Sequence, residues 1–233
     1  MENIYINGQY LKRHPTWDVQ DSLWKANHIF KIIEDNKIVC RKVADIGCGA
    51  GGVLVELSKL MHDDIKFYGY DISPQAIGLA KEHMNARISF QHEDFLSVGN
   101  TEYFDLLLII DVLEHVPDYL NFLQQCRLKA KYKIYHIPLD LSVSSIMWNS
   151  FVESRKNHGH LHYFTMESAL ASLKDTNHII IDSFYTDVGT YYYKQSPAFK
   201  TAVSNLPRWI LAFFNIALAS KIFGRYSIMV LTK

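Results

Sequence analysis

Apolar and polar positions along the chain change rhythm in a repeating order. From Asp21, the run SLWKANHIFKII puts Leu23, Ala26, Ile29, Phe30 and Ile33 on one helical stripe, which predicts a lead-in helix behind an irregular arm over Asn3 to Trp17. KVADIGC then reads as a short apolar strand, GAGG as a glycine turn and VLVELSKLM as a helix. The unit recurs in type: KFYGYDI is a second strand, PQAIGLAKEHM a helix opened by Ser73 and Pro74, and RISFQHEDF a third strand. FDLLLIIDVL has the unbroken apolar centre of a strand buried on both faces of a parallel sheet, followed by the helical PDYLNFLQQCRLKA and a fifth strand, YKIYHIPLD.

Between Pro138 and Thr165 the pattern loosens into a long connection, with a helix expected around Val143 to Ser154. TMESALASLKDT follows as a helix with Thr165 at its N-cap and Ser168 three residues on. Two last strands, IIIDSFYT and YSIMVLTK, enclose the aromatic-rich segment Trp209 to Phe223. Seven strands, with helices alternating through the first five, predict an α/β fold built on a doubly wound sheet of Rossmann-like type. No repeat or low-complexity linker divides the chain, so residues 1–233 are expected to form one domain. Residues 1–38 would be its arm and lead-in helix, and residues 138–165 and 188–224 would be insertions on the substrate side or at an interface.

Composition narrows the function classes. Lys plus Arg and Asp plus Glu stand at 24 each, so no global positive field would draw nucleic acid. Cys40, Cys48 and Cys126 lack CxxC spacing, and the first residues hold no apolar run behind a basic segment, which points to a reducing cytoplasm. The Trp209 to Phe223 segment is too short and too polar to span a bilayer.

The chemistry concentrates at strand ends, where open α/β sheets bind ligands. In DIGCGAGG, glycines directly behind a strand let backbone N–H groups approach a ligand; Gly47, Gly49 and Gly52 satisfy GxGxxG, while Gly47, Gly49 and Gly51 satisfy GxGxG. Three acids favour an adenosyl ligand without a pyrophosphate. Asp45, just before the glycines, would repel a pyrophosphate but can bind an amino group. Asp71, at the end of GYDI, can accept from both ribose hydroxyls. Asp94, closing the third strand in HEDF, can accept from an adenine amino group beside Phe95.

VADIGCGAGG, GYDISPQAI, EDF and FDLLLIIDVLEHV together make the region from Val43 to about Ala130 resemble the class I S-adenosylmethionine-dependent methyltransferases, in particular the small-molecule enzymes of ubiquinone biosynthesis and bacterial surface-polysaccharide type. IPLDLS, GHLHYFT and YSIMVL further resemble members found with surface-glycan enzymes. The resemblance implies a strand order of 3-2-1-4-5-7-6 with the seventh strand antiparallel, and S-adenosyl-L-methionine as cofactor with S-adenosyl-L-homocysteine as product. It further implies Asp45, Gly47, Gly49 and Gly51 around the methionine part, Asp71 on the ribose, Ile72 and Phe95 against adenine, Asp94 at its edge, and Asp111 or Val112 beside the sulfonium.

Methyl transfer from a sulfonium needs alignment and exclusion of water, and a hydroxyl acceptor also needs a base. His115, His160 and His162 are the candidates, so O-methylation is favoured over N-methylation of a small-molecule or glycan- or lipid-linked acceptor. Against this, His115 also reads as a helix-start residue capped by Glu114 or packed on Pro117, and the histidines of HGHLH as ties on backbone carbonyls around a Gly159 turn. His136, inside the fifth strand, reads as a satisfied sheet residue. The spacing of His158, His160 and His162 suits metal ligands, yet no further ligand follows at a diagnostic spacing, so no metal is expected. Arg155 and Lys156 suit either an anionic acceptor or a solvated helix end, and Tyr10, His14 and Trp17 suit either a cover over the cofactor or packing on the sheet.

Two readings likewise stay open for the apolar segment, including residues 207–223: a peripheral membrane contact, or a helix packed over the sheet or across a homodimer interface. A nucleic-acid methyltransferase is disfavoured by the charge balance and by DVLEH. A nicotinamide oxidoreductase is disfavoured by Asp45, Asp94 and the closing hairpin. A cofactor-binding or partner-binding protein without catalysis is the remaining alternative.

Overall fold

A computed structural model describes residues 4–17, 19–97 and 101–233; Asn3, the first residue of the expected arm, and residues 1 and 2 before it lie outside the described residues. Seven strands, β1 (Lys42–Ile46), β2 (Lys66–Asp71), β3 (Ile88–His92), β4 (Phe104–Ile110), β5 (Ala130–Pro138), β6 (Ile180–Thr186) and β7 (Ser227–Thr232), form one sheet in the order β3-β2-β1-β4-β5-β7-β6. β7 runs antiparallel to both β5 and β6, and the remaining pairs are parallel.

The apolar run of β4 explains the two-layered cover. Side chains alternate along a strand, so Leu106 and Leu108 enter one core and Leu107 and Ile109 the other. The first core receives α2 (Ser22–Asp35), α3 (Gly52–Leu60) and α4 (Pro74–Ala80), after a short α1 (Gln9–Arg13) in the arm. The second receives α5 (Tyr119–Arg127) and α8 (Met166–Asp175), with α6 (Val143–Met147) and α7 (Ser150–Asn157) between them, and Ala219 of the last helix. Local signals start these helices. Ser73 caps α4 through the Ala76 amide with Pro74 in its first turn, and Thr165 and Ser168 make a reciprocal capping box on α8.

Several elements depart from the pattern. Leu23 points outward, 53% exposed, because α2 is turned so that its buried face runs through Ser22, Ala26, Ile29 and Ile33, leaving Lys25 toward the sheet end. The helix expected over Val143 to Ser154 is two helices, broken where Asn149 takes a left-handed φ of 52°, a conformation Asn tolerates. β3 stops at His92, so Asp94 stands two residues beyond the strand. The insertion from 188 holds three helices, α9 (Val188–Gln195), α10 (Phe199–Phe214) and α11 (Ile216–Phe223); α10 begins ten residues before Trp209 and carries Pro207 within it. Tyr191 and Tyr192 of α9, unremarkable in the sequence, bond to the Gln20 carbonyl (2.6 Å) and Asp21 (3.3 Å) at the start of α2. Among the described residues no helix is long and apolar enough to cross a membrane.

His178, behind the sheet, gives a test of the second core. It is 4% exposed, with the Tyr135 hydroxyl 2.8 Å from Nε2 and the Thr176 hydroxyl 3.0 Å from Nδ1. Burial, helped by Lys133, pushes it down from 6.5 to about 4. A folded value below the unfolded one stabilises fully above about pH 6.5, and that contribution is lost as pH falls toward 4, at up to about 1.4 kcal/mol per pH unit. The raised carboxyls of the site titrate with the opposite sign, but a comparison with His178→Gln cancels them. The stability difference between wild type and variant, from denaturant midpoints, is expected to fall between pH 7 and pH 4.5; a constant difference would exclude a buried neutral histidine here.

Candidate active site

A cavity of about 930 Å³ opens at the carboxyl ends of β1, β2, β4 and β5. It is large enough for a nucleoside-sized ligand and a second molecule beside it.

One half is built by the glycine turn. Gly49 has φ 55°, and a Cβ there would lie 2.7 Å from the Trp17 ring; Gly47 has φ 73°, and a Cβ there would lie 2.6 Å from Val112. Both positions require a bare backbone, on conformational and on steric grounds. The Gly49 amide donates to Asp71 Oδ2 (2.9 Å) and the Ser73 amide to Oδ1 (2.7 Å), which fixes the carboxylate at the end of β2. Burial raises Asp71, while these two amides hold it down in part. Asp45 is 2% exposed, its Oδ1 has no partner among the described residues, and burial with Asp71 nearby raises it well above the usual carboxylate range. Ile72 is exposed on the cavity rim, and Asp94 and Phe95 also line the cavity. Asp94 Oδ1 accepts from the Leu96 amide (3.1 Å), and Phe95 is mostly committed to the core against Tyr70. Gly51 faces Phe90 rather than the cavity.

At the end of β4, Asp111 has a left-handed φ of 54°; its Oδ2 pairs with Lys25 Nζ (2.7 Å) and its Oδ1 lies 2.6 Å from His136 Nδ1. Lys25 also reaches Asp21 (2.9 Å), and His136 Nε2 lies 2.9 Å from the Thr186 hydroxyl. This chain of contacts ties α2, β4, β5 and β6 together at the cavity floor. Burial opposes charge at Asp111, yet His136 and Lys25 more than offset it and hold the carboxyl far below its usual range. Lys25 is desolvated as well, but Asp111 and Asp21 raise it further. Among the described residues lining the cavity it is the sole Lys or Arg.

The other half is made where HGHLH meets the end of β4. The amides of Leu161 and His162 donate to the Glu114 carbonyl (2.7 and 3.1 Å), which sets His160 beside His115 with ring centroids 5.0 Å apart. His160 Nδ1 contacts Asp140 Oδ2 at 2.6 Å. His115 Nδ1 lies 3.0 Å from the Tyr5 hydroxyl, and burial and His160 push it down to about 4. Glu114 is 1% exposed, its Oε2 lacks a partner among the described residues, and burial and Asp111 raise it well above the usual range. Glu114, His115 and His160 each bring a ligand atom within 4.8 Å of the others. Three side chains of metal-ligating type thus come together where local spacing offered none, because the partners of His160 come from the end of β4 rather than from its own segment.

His162 stands apart: Nε2 donates to the Val116 carbonyl (2.9 Å), the ring packs on Tyr119, and it does not line the cavity. Arg155 and Lys156 lie on α7 away from the lining, so an anionic acceptor does not meet them there. Tyr10 and Trp17 cover the cavity from the arm, with His14 stacked behind Tyr10. Sequence reasoning missed Lys25, Glu114 and Asp140 and gave His136 only its sheet role. Asp140, two residues past β5, carries the signal that singled out Asp94, an acid just beyond a strand.

Comparison with known proteins gives concordant results. A family profile described as a methyltransferase domain matches residues 40–187. A ubiquinone biosynthesis O-methyltransferase of Glaesserella parasuis is 35% identical over 127 residues, 48% of this chain and 52% of that protein. One of Haemophilus ducreyi is 31% identical over 134 residues, 51% and 55% of the two. The chain thus spans about half the length of these curated relatives. Among solved structures, the N-methyltransferase NodS of Bradyrhizobium japonicum WM9 in complex with S-adenosyl-L-homocysteine superposes with a TM-score of 0.61 at 14% identity, over 99% of this chain and 98% of that one. The magnesium protoporphyrin IX methyltransferase of Synechocystis PCC 6803 gives 0.58 at 15% identity, over 91% and 82%. At these identities the two structures speak to the fold.

Proposed function

Since the chain belongs to the methyltransferase-domain family, we propose that it transfers a methyl group from S-adenosyl-L-methionine to a hydroxyl of a small or glycan-linked acceptor. The single observation that carries the oxygen preference is the Asp140–His160 pair at 2.6 Å on the acceptor side of the cavity.

The residues present fit the cofactor. Asp71 can accept from two ribose hydroxyls with the lone pairs that the Gly49 and Ser73 amides leave over. The orphaned Oδ1 of Asp45 gains a partner in an α-ammonium, and Lys25 supplies the cation for an α-carboxylate. Ile72, Asp94 and Phe95 form the adenine side, and Val112, against Gly47, lines the path toward the acceptor. When bound, S-adenosyl-L-methionine supplies an electrophilic methyl group on a sulfonium.

The chain's own residues do the rest. Asp140 holds His160 with Nδ1 protonated, leaving Nε2 to take the acceptor's hydroxyl proton, as a carboxylate orients a histidine base elsewhere. His115, neutral at pH 7, orients the same hydroxyl beside Tyr5. The acceptor side is polar, with Ser145, Ser150, Ser154 and Asn157 along α6 and α7, which suits a hydroxyl-rich molecule. The arm's Tyr10 and Trp17 exclude water from above.

Glu114 supports a second reading. Its buried carboxylate, with Oε1 3.7 Å from His115 Nε2 and a ligand atom within 4.8 Å of those of His115 and His160, fits a divalent cation that would itself acidify the acceptor hydroxyl, with Asp140 orienting His160 as a ligand. One experiment addresses both. Methyl-labelled S-adenosyl-L-methionine is offered with panels of hydroxyl-bearing and amine-bearing acceptors, before and after chelator treatment. Label in hydroxyl acceptors that survives chelation is expected from the histidine base. Loss restored by Mg²⁺ or Zn²⁺ would transfer the role to a metal, and label confined to amines would overturn the oxygen preference.

A further inference from the structure

Helix α10 is built inside out. Its buried residues are Asn205 and Arg208, while Phe199, Val203, Leu206, Ile210, Phe213 and Phe214 face outward, Phe199 and Phe213 at 84% exposure. Leu211 and Ala212 pack, partly buried, on the second core, and the rest of the inward side is held by polar bonds: Arg208 pairs with Asp187 (2.6 Å), bonds Thr190 (2.9 Å) and Asn205 (3.2 Å) and lies over the Tyr226 ring, and Trp209 Nε1 also donates to Thr190 (2.8 Å). A helix committed this way cannot roll its outward apolar face onto the sheet without breaking the Arg208–Asp187 pair and pulling the buried guanidinium away from its partners.

The exposed face has a regular spacing. Phe199, Val203, Leu206, Ile210 and Phe213 follow intervals of four, three, four and three, the seam of a helix that pairs with another helix, with β-branched Val203 and Ile210 alternating with Phe199, Leu206 and Phe213. We propose that this face binds the same face of a second copy of the chain, forming a two-fold dimer through α10. Contact between identical patches closes on itself and leaves no apolar surface to propagate. With roughly 200 Å² for a whole aromatic side chain, the stripe offers on the order of 700 Å² per copy, close to the ~800 Å² per partner of stable interfaces. A lipid surface fits less well, because helices lying in a membrane interface display cations along their polar face. On α10 that face is turned into the protein with Arg208, Lys200 is the one outward cation, and Lys221 of α11 is paired with Glu167.

Light scattering of the full chain after size exclusion tests the dimer, with Leu206→Cys and the double variant Ile210→Lys, Phe213→Glu. Wild type is expected at twice the 27.0 kDa chain mass and the double variant at half the wild-type value, with unchanged circular dichroism. Leu206 is central in the stripe and meets its counterpart whether the helices run parallel or antiparallel. The three native cysteines are buried, so mild oxidation should cross-link Leu206→Cys and leave wild type uncross-linked. A wild type of 27.0 kDa whose Leu206→Cys form does not cross-link would overturn the proposal, and flotation of that monomer with phosphatidylglycerol vesicles would give the face to lipid instead. A double variant that stays dimeric would place the contact elsewhere.

Discussion

Asp71→Ala is expected to weaken S-adenosyl-L-methionine binding by about two to four orders of magnitude while leaving the sheet intact. The carboxylate would lose two charge-assisted bonds to ribose hydroxyls, each worth about 1.5–3 kcal/mol, and the Gly49 amide would lose the partner that fixes the glycine turn. Asp71→Asn should be nearly as damaging, because it restores bulk but places a donor where acceptors are needed. Isothermal titration with cofactor and with S-adenosyl-L-homocysteine checks this. An Asp71→Ala chain that binds both within threefold of wild type would remove the residue from the ribose site.

The second large effect falls on turnover. His160→Ala is expected to lower kcat by about 10²–10⁴-fold, the usual contribution of a positioned base, with cofactor affinity nearly unchanged. Asp140→Asn should cost less and act through His160, altering the pH profile of kcat rather than abolishing it, since it removes the group that fixes the imidazole tautomer. His162→Ala should leave kcat within a few-fold, because that ring holds the Val116 carbonyl outside the cavity. Equal losses from His160→Ala and His162→Ala would mean that the segment acts structurally, through its amide bonds to the Glu114 carbonyl, and not as a base.

The fold was legible where burial is two-sided or a turn demands glycine. The unbroken apolar run Leu106 to Ile110, short and placed between turn signals, reads as a central strand, and the glycines of DIGCGAGG read as a tight turn. The reversal of β7 was legible through resemblance alone, since an antiparallel closing strand has no signature in periodicity. The start of α10 escaped notice for a physical reason. Its apolar residues mark an outward face, and Pro207 sits within the helix on the exposed side. In the site, acids immediately after strands were readable as ligand contacts. Lys25 and Glu114 were not, because their roles depend on contacts across 86 and 46 positions of sequence, to Asp111 and His160; Asp140 carried that signal, but its partner His160 lies 20 positions on. HGHLH is the clearest case: His158 and His160 line the cavity while His162 ties down backbone, a division invisible in the spacing.

The most direct measurement of the central claim is a pair of calorimetric titrations of the full chain, one with S-adenosyl-L-methionine and one with NAD. The turn at Gly47 and Gly49 would accommodate either family of ligand, but the buried Asp45 beside it disfavours a pyrophosphate. Saturable one-to-one binding of S-adenosyl-L-methionine with no heat from NAD is the expected result; saturable binding of NAD with no response to S-adenosyl-L-methionine would contradict the account.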